Sequence, residues 1–142
     1  MSLITCKFVR PDKLVYQGHV KSLILVTSEG ELGVWPKHSP IICALGDGVV
    51  RLNLADEAGG GVLRVLVSGG YAEVHNDEVI VLADHARRED EIDLDRERAD
   101  LAEAMADRDR FGADDVRRAH YDNTVRWCQQ LIDYAESHKQ GV

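Results

Sequence analysis

The chain changes its grammar near residue 86, and the two halves must fold by different rules. All three prolines (Pro11, Pro36, Pro40) and ten of the twelve glycines come before that point. Charged residues number 17 across 1–86 but 25 across the shorter stretch 87–142. Glycine and proline punctuate turns between short strands, whereas dense charge with alanine suits solvated helices. Two domains are therefore expected, a β domain over 1–86 and a helical one over 87–142.

The first half reads as strands cut by turn residues. Residues 3–9 stop at Pro11-Asp12, residues 14–16 at Gly18, and residues 20–27 at Ser28-Glu29-Gly30. Residues 48–54 lead to the Gly59-Gly60-Gly61 loop, and residues 62–67 to Ser68-Gly69-Gly70. Residues 71–75 and 78–82 flank Asn76-Asp77, which tolerate the positive φ of a tight primed turn, so this is the clearest hairpin. Many short strands with no helix-length pattern between them predict an antiparallel β-sandwich or flattened barrel.

In the second half the apolar period lengthens. Asp90 is a plausible N-cap, with Glu91, Asp93 and Asp95 placed to suit the positive end of the helix dipole. Ala99, Ala102, Ala104 and Ala106 favour helix, and Leu94, Leu101 and Met105 supply a thin stripe. Gly112 is placed to cap it in a left-handed conformation. A second helix starts near Asp114-Asp115, and Tyr121, Val125, Cys128, Ile132 and Ala135 recur on one face, widened by Trp127, Leu131 and Tyr134. Two helices on a short link make an antiparallel αα-hairpin with a thin, reversible seam.

Composition narrows the function classes. A formal net charge of −8 disfavours nucleic acid, whose phosphates want clustered Lys and Arg. No apolar run approaches the ~18–20 residues that cross a bilayer, and the start lacks the basic and apolar regions of a signal peptide, so a reducing cytoplasmic space is expected. Cys6, Cys43 and Cys128 form no C-x-x-C pair, and the six histidines show neither H-x-x-x-H nor H-E-x-x-H spacing. Gly46-Asp47-Gly48 lacks the third glycine of a dinucleotide loop, and Ser68 before Gly69-Gly70 is not a nucleophile elbow. A hydrolase built on His38 or His85 finds no spacing to support it. No catalytic residue, metal or cofactor is predicted. Composition alone favours a wide turn at residues 30–40 with Trp35 packed inward.

Several linked motifs carry a family resemblance. Glu29-Gly30-Glu31-Leu32-Gly33-Val34-Trp35-Pro36-Lys37-His38-Ser39-Pro40 resembles the signature loop of the epsilon subunit of F-type ATP synthases, G-E-L-G-(V/I)-L-P-G-H-(A/S)-P. Leu45-Gly46-Asp47-Gly48-Val49-Val50-Arg51 is similar to that family's next segment. Ser68-Gly69-Gly70-Tyr71-Ala72-Glu73-Val74 with Val79-Ile80-Val81-Leu82-Ala83-Asp84 is similar to its final hairpin. Lys37 stands where the family has glycine, and Trp35 where it has leucine.

The resemblance implies a non-catalytic central-stalk rotor that bridges the gamma subunit and the c-ring of a proton-translocating ATP synthase. It implies a place on the cytoplasmic face of the membrane, held there only through the complex. Glu29, Gly30, Glu31 and Leu32 become candidates for the c-ring contact, and His38, Pro40 and Ile41 for the gamma contact. Leu32 or Trp35 gains a reason to be exposed, as an interface anchor. The helical hairpin becomes the regulatory part, extending to the alpha/beta catalytic hexamer to block ATP hydrolysis, with Arg117, Arg118 and Arg126 as its inhibitory cations.

Some bacterial members bind ATP through an I/L-D-x-x-R-A motif. Here Ile92, Asp93 and Arg96 match, but Glu97 replaces the alanine. Arg87 and Glu103 stand where such binders carry a glutamate and a further arginine. A carboxylate at 97 repels a triphosphate, so ATP binding is expected to be weak or absent. Calorimetry of the full chain should give no dissociation constant tighter than about 100 µM, near −5.5 kcal/mol.

Overall fold

The computed structural model describes residues 2–138 and divides into two compact units at Asp90/Glu91. The first is all β: β1 (Ile4–Arg10), β2 (Lys13–Thr27), β3 (Gly30–Val34), β4 (Ile41–Ala44), β5 (Asp47–Leu54), β6 (Val62–His75) and β7 (Glu78–Arg88). Their order is β1-β7-β6-β5-β2-β3, and β1 also pairs with β2, which closes the sheet into a flattened barrel. β3 extends the sheet from β2, and β4 from β6.

Side-chain alternation fills the inside. Ile4, Cys6 and Phe8 of β1, Leu23 and Leu25 of β2, Val50 and Leu52 of β5, and Val79 and Val81 of β7 are all at most 1% exposed. Each such side chain contributes up to about 1.5–3 kcal/mol of burial. Burial also pushes the Cys6 thiol up to about 12, so it acts as a small hydrophobe.

Two turn readings change, and one strand pairing. Gly18 does not stop a strand: β2 runs unbroken for 15 residues, because its first half pairs with β1 and its second with β5 and β3. Ser68-Gly69-Gly70 does not end β6 but bends it, with Gly69 at φ 74° and Gly70 at φ 117°. The sheet is mostly antiparallel, yet β1 and β7 run parallel. Strand periodicity is the same for both directions, so only the long-range pairing decides this. The Asn76-Asp77 turn is as read, with φ of 51° and 58°.

The second unit holds α1 (Leu94–Asp109) and α2 (Val116–His138), an αα-hairpin. The N-cap is Asp93, not Asp90, and its side chain accepts the Arg96 N–H at 3.3 Å. The helix starts late because β7 runs on to Arg88 and Glu89–Glu91 form a 3₁₀ turn. Asp90 receives the Arg88 guanidinium instead, at 3.2 and 3.0 Å. Gly112 is not a left-handed cap: α1 ends at a right-handed Arg110, and tight i→i−3 bonds from Arg110 and Phe111 take up the last carbonyls. On α2 Trp127, Cys128, Leu131 and Ile132 are buried, while α1 buries only Glu97 and Ala104. Met105 is 40% exposed and falls outside the stripe.

A side chain at Gly70 would meet the Leu82 carbonyl, in a backbone region closed to most residues. Gly70→Ala should cost about 2–4 kcal/mol in urea unfolding.

Candidate functional site

The β2–β3 hairpin makes an acidic tip. Thr27 Oγ1 donates to the Gly30 carbonyl at 2.6 Å and accepts the Glu29 N–H at 3.2 Å, which closes the turn on exposed Ser28 and Glu29. Ser28 N donates to the Ala44 carbonyl and Gly46 N to the Val26 carbonyl, tying the tip to the segment before β5. Glu31 points outward, and both its oxygens accept Arg51 Nη2 at 3.0 Å, across β2. Leu32 is half-buried against the core.

The loop after β3 ends at the opposite side of that strand, about 17 Å away along it. Trp35 does not pack inward. It is 59% exposed, and its ring lies over Gly33, where any side chain would collide with it. Lys37 keeps a glycine-like backbone, with φ 68°. Its N–H donates to Asp77 Oδ1 at 2.6 Å, which offsets the roughly 1–2 kcal/mol of left-handed strain. His38 Nδ1 donates to the Ser39 carbonyl at 2.7 Å, so the free ring nitrogen is Nε2. Pro40 and Ile41 then lead into β4, where Ile41 is 36% exposed.

From β4 a larger surface opens, one that motif reading missed. Register places Ala44 beside Tyr71, Tyr71 beside Leu82, Leu82 beside Val9, and Val9 beside Leu14. Tyr71, Leu82 and Leu14 are 63%, 52% and 48% exposed. This apolar stripe crosses five strands, about 19 Å at the usual strand spacing. The next row, Ile42, Glu73, Ile80, Lys7 and Gln17, alternates apolar and polar, with Ile42 71% exposed. The signal lay in β7, whose Val79-Ile80-Val81-Leu82-Ala83 run is apolar on both faces. A strand solvated on one side would alternate.

The helical unit places the remaining candidates. At the head of α1, Ile92 is half-buried and Asp93 caps the helix. Glu97 is 1% exposed, and its Oε2 accepts the Asp93 N–H at 3.3 Å and Arg96 Nη2 at 3.4 Å. Arg117 grips Asp115 through Nε at 3.0 Å and Nη2 at 2.7 Å, which holds that carboxyl down to about 2. Arg118 Nη1 donates to the Phe111 carbonyl at 2.8 Å, and Arg126 is exposed on α2.

No group of three His, Cys, Asp or Glu among the described residues sits close enough to hold a metal. Ser68 donates to Asp47 Oδ1 at 2.7 Å, and the register sets His85 of β7 opposite it on the other side. No described helix is long and apolar enough to cross a membrane.

A closed β domain with an acidic tip and an exposed apolar stripe, followed by a helical hairpin, defines the class of two-unit chains to which this one belongs. Residues 3–89 match the family described as ATP synthase, Delta/Epsilon chain, beta-sandwich domain. The ATP synthase epsilon chain of Alkalihalophilus pseudofirmus is 44% identical over 99 residues, 70% of this chain and 71% of that one. The epsilon chain of Desulforamulus reducens is 38% identical over 112 residues, 78% of this chain and 82% of its own. A chain of the Euglena gracilis mitochondrial ATP synthase, from a cryo-EM structure described as OSCP/F1/c-ring, superposes with a TM-score of 0.65 at 25% identity. It covers 91% of this chain and 79% of its own. This chain belongs to the ATP synthase epsilon chain family.

Proposed function

We propose that the chain is a non-catalytic rotor part of an ATP synthase central stalk, joining the gamma subunit to the c-ring, with its helices as a brake on ATP hydrolysis. The apolar stripe carries this reading. A five-strand row of exposed aliphatic and aromatic side chains on a soluble barrel calls for a partner surface. On this reading His38, Pro40 and Ile41, which lead into β4, lie on the gamma-facing side together with the stripe. The acidic tip at Glu29, Gly30, Glu31 and Leu32, a strand's length from the His38 loop, is the c-ring contact. Glu31 is steadied there by Arg51. On this reading the chain reaches the cytoplasmic face of the membrane only as part of the complex.

The helical unit supports a regulatory role because α1 buries so little that a second arrangement lies within a few kcal/mol. In the extended form Arg117, Arg118 and Arg126 meet acidic surfaces of the alpha/beta hexamer. Arg117 and Arg118 must first leave their partners at the hairpin turn. Nucleotide does not govern this switch. The Glu97 carboxylate takes the Asp93 N–H and the Arg96 guanidinium that a phosphate would need.

Two measurements decide between the parts. Leu82→Glu leaves the core untouched and should weaken binding to the gamma subunit about 10–100-fold in a titration with purified gamma. Unchanged affinity would move the gamma contact elsewhere. Truncation after Asp90 keeps β7 whole and should raise ATP hydrolysis of the assembled complex several-fold. An unchanged rate would leave the rotor role and remove the brake.

A further inference from the structure

The hairpin is held by different forces at its two ends. Far from the turn, α2 buries Trp127, Cys128, Leu131 and Ile132. Residues 116–126 of the same helix bury nothing, and Val116 is 87% exposed. What joins the helices near the turn is a cluster built on Phe111, in the link between them.

The Phe111 ring stacks on Tyr121 of α2, with centroids 5.7 Å apart and planes 10° from parallel. The Arg117 guanidinium lies 4.4 Å from the Phe111 centroid, and it is fixed there by its two bonds to Asp115. Arg118 of α2 reaches back to the Phe111 carbonyl at 2.8 Å. Arg108, in the last turn of α1, lies 3.8 Å from Asp122 of α2. Stacking and cation–π contacts are directional, so the contacts to Tyr121 and Arg117 depend on the Phe111 ring keeping its place. At the far end, by contrast, Arg98 meets Glu136 at 3.3 Å in an exposed pair that contributes little.

We propose that Phe111 is the clasp of the hairpin: its ring, held between Tyr121 and Arg117, sets the balance between closed and separated helices. The link 110–115 is then a lock that must release before the helices part, and no loose hinge. Release also detaches Arg118 from the Phe111 carbonyl and takes Arg117 off the Phe111 ring. The clasp itself stands on the contacts within the helical unit. Only its consequence for ATP hydrolysis rests on the brake reading above.

Spin labels at Ala102→Cys and Gln129→Cys, both exposed, report the helix separation by pulsed electron resonance. The full chain is used with Cys43→Ser, since Cys6 and Cys128 are buried. The parent should show one short distance. Phe111→Ala should increase the long-distance population about three- to tenfold, and Arg117→Gln about two- to threefold. Distributions that superimpose on the parent in both variants overturn the clasp. If Phe111→Ala loses helicity by circular dichroism, Phe111→Leu and Arg117→Gln decide by the same criterion. Longer distances with unchanged ATP hydrolysis of the assembled complex would keep the clasp and remove the brake.

Discussion

The β unit depends on β2 serving two sheets. Its first half pairs with β1 and its second with β5 and β3, so the strand carries the chain around the flattened edge of the barrel. Closure leaves the inner residues of six strands facing one another, which is why side chains from Ile4 to Val81 reach near-zero exposure in a domain of this size. It also sets what the outside can present. The tip at the end of β2 and the stripe over β4, β6, β7, β1 and β2 lie where the closed sheet puts them. Gly70 is the matching constraint on the other wall, bending β6 so that it pairs with β5 before the corner and with β4 beyond it.

Against that frame the exposed surface is unevenly distributed. Charged residues mark the β2–β3 tip, while Ala44, Tyr71, Leu82, Val9 and Leu14 line up in a row that starts where Ala44 accepts the Ser28 N–H of that tip and crosses five strands from there. Single exposed apolar residues are ordinary on any soluble protein. A register-aligned row is not, because each member strengthens the desolvation of its neighbours when a partner covers them. The family to which the chain belongs supplies a setting in which such a side and such a tip both have work.

Two departures from the family's motif turn out to have local compensation. Lys37 keeps the left-handed backbone of the glycine it replaces, because its N–H is paid for by Asp77 from the β6–β7 turn. Glu97 turns inward at the head of α1 and satisfies the Asp93 N–H and the Arg96 guanidinium from within the chain. The first substitution preserves a shape. The second sets a buried carboxylate against the N-cap residue of α1.

The sequence by itself determined the two-unit plan, the Asn76-Asp77 hairpin, and the helical face around Cys128 and Ile132. These follow from local period and turn chemistry, which act over a few residues. Only the tertiary structure decided the parallel β1–β7 pair, the passage of β2 through Gly18, the outward Trp35, the Asp93 cap and the stripe. Each of these turns on pairing between residues distant in the chain. Leu82 is the clearest case: its neighbours Tyr71 and Val9 come from other strands, so no window along the sequence contains the surface they share. The composition break at 86 likewise fell short of the true boundary at Asp90/Glu91, because Ala86, Arg87 and Arg88 are held in β7 by Val67, Leu66 and Val65.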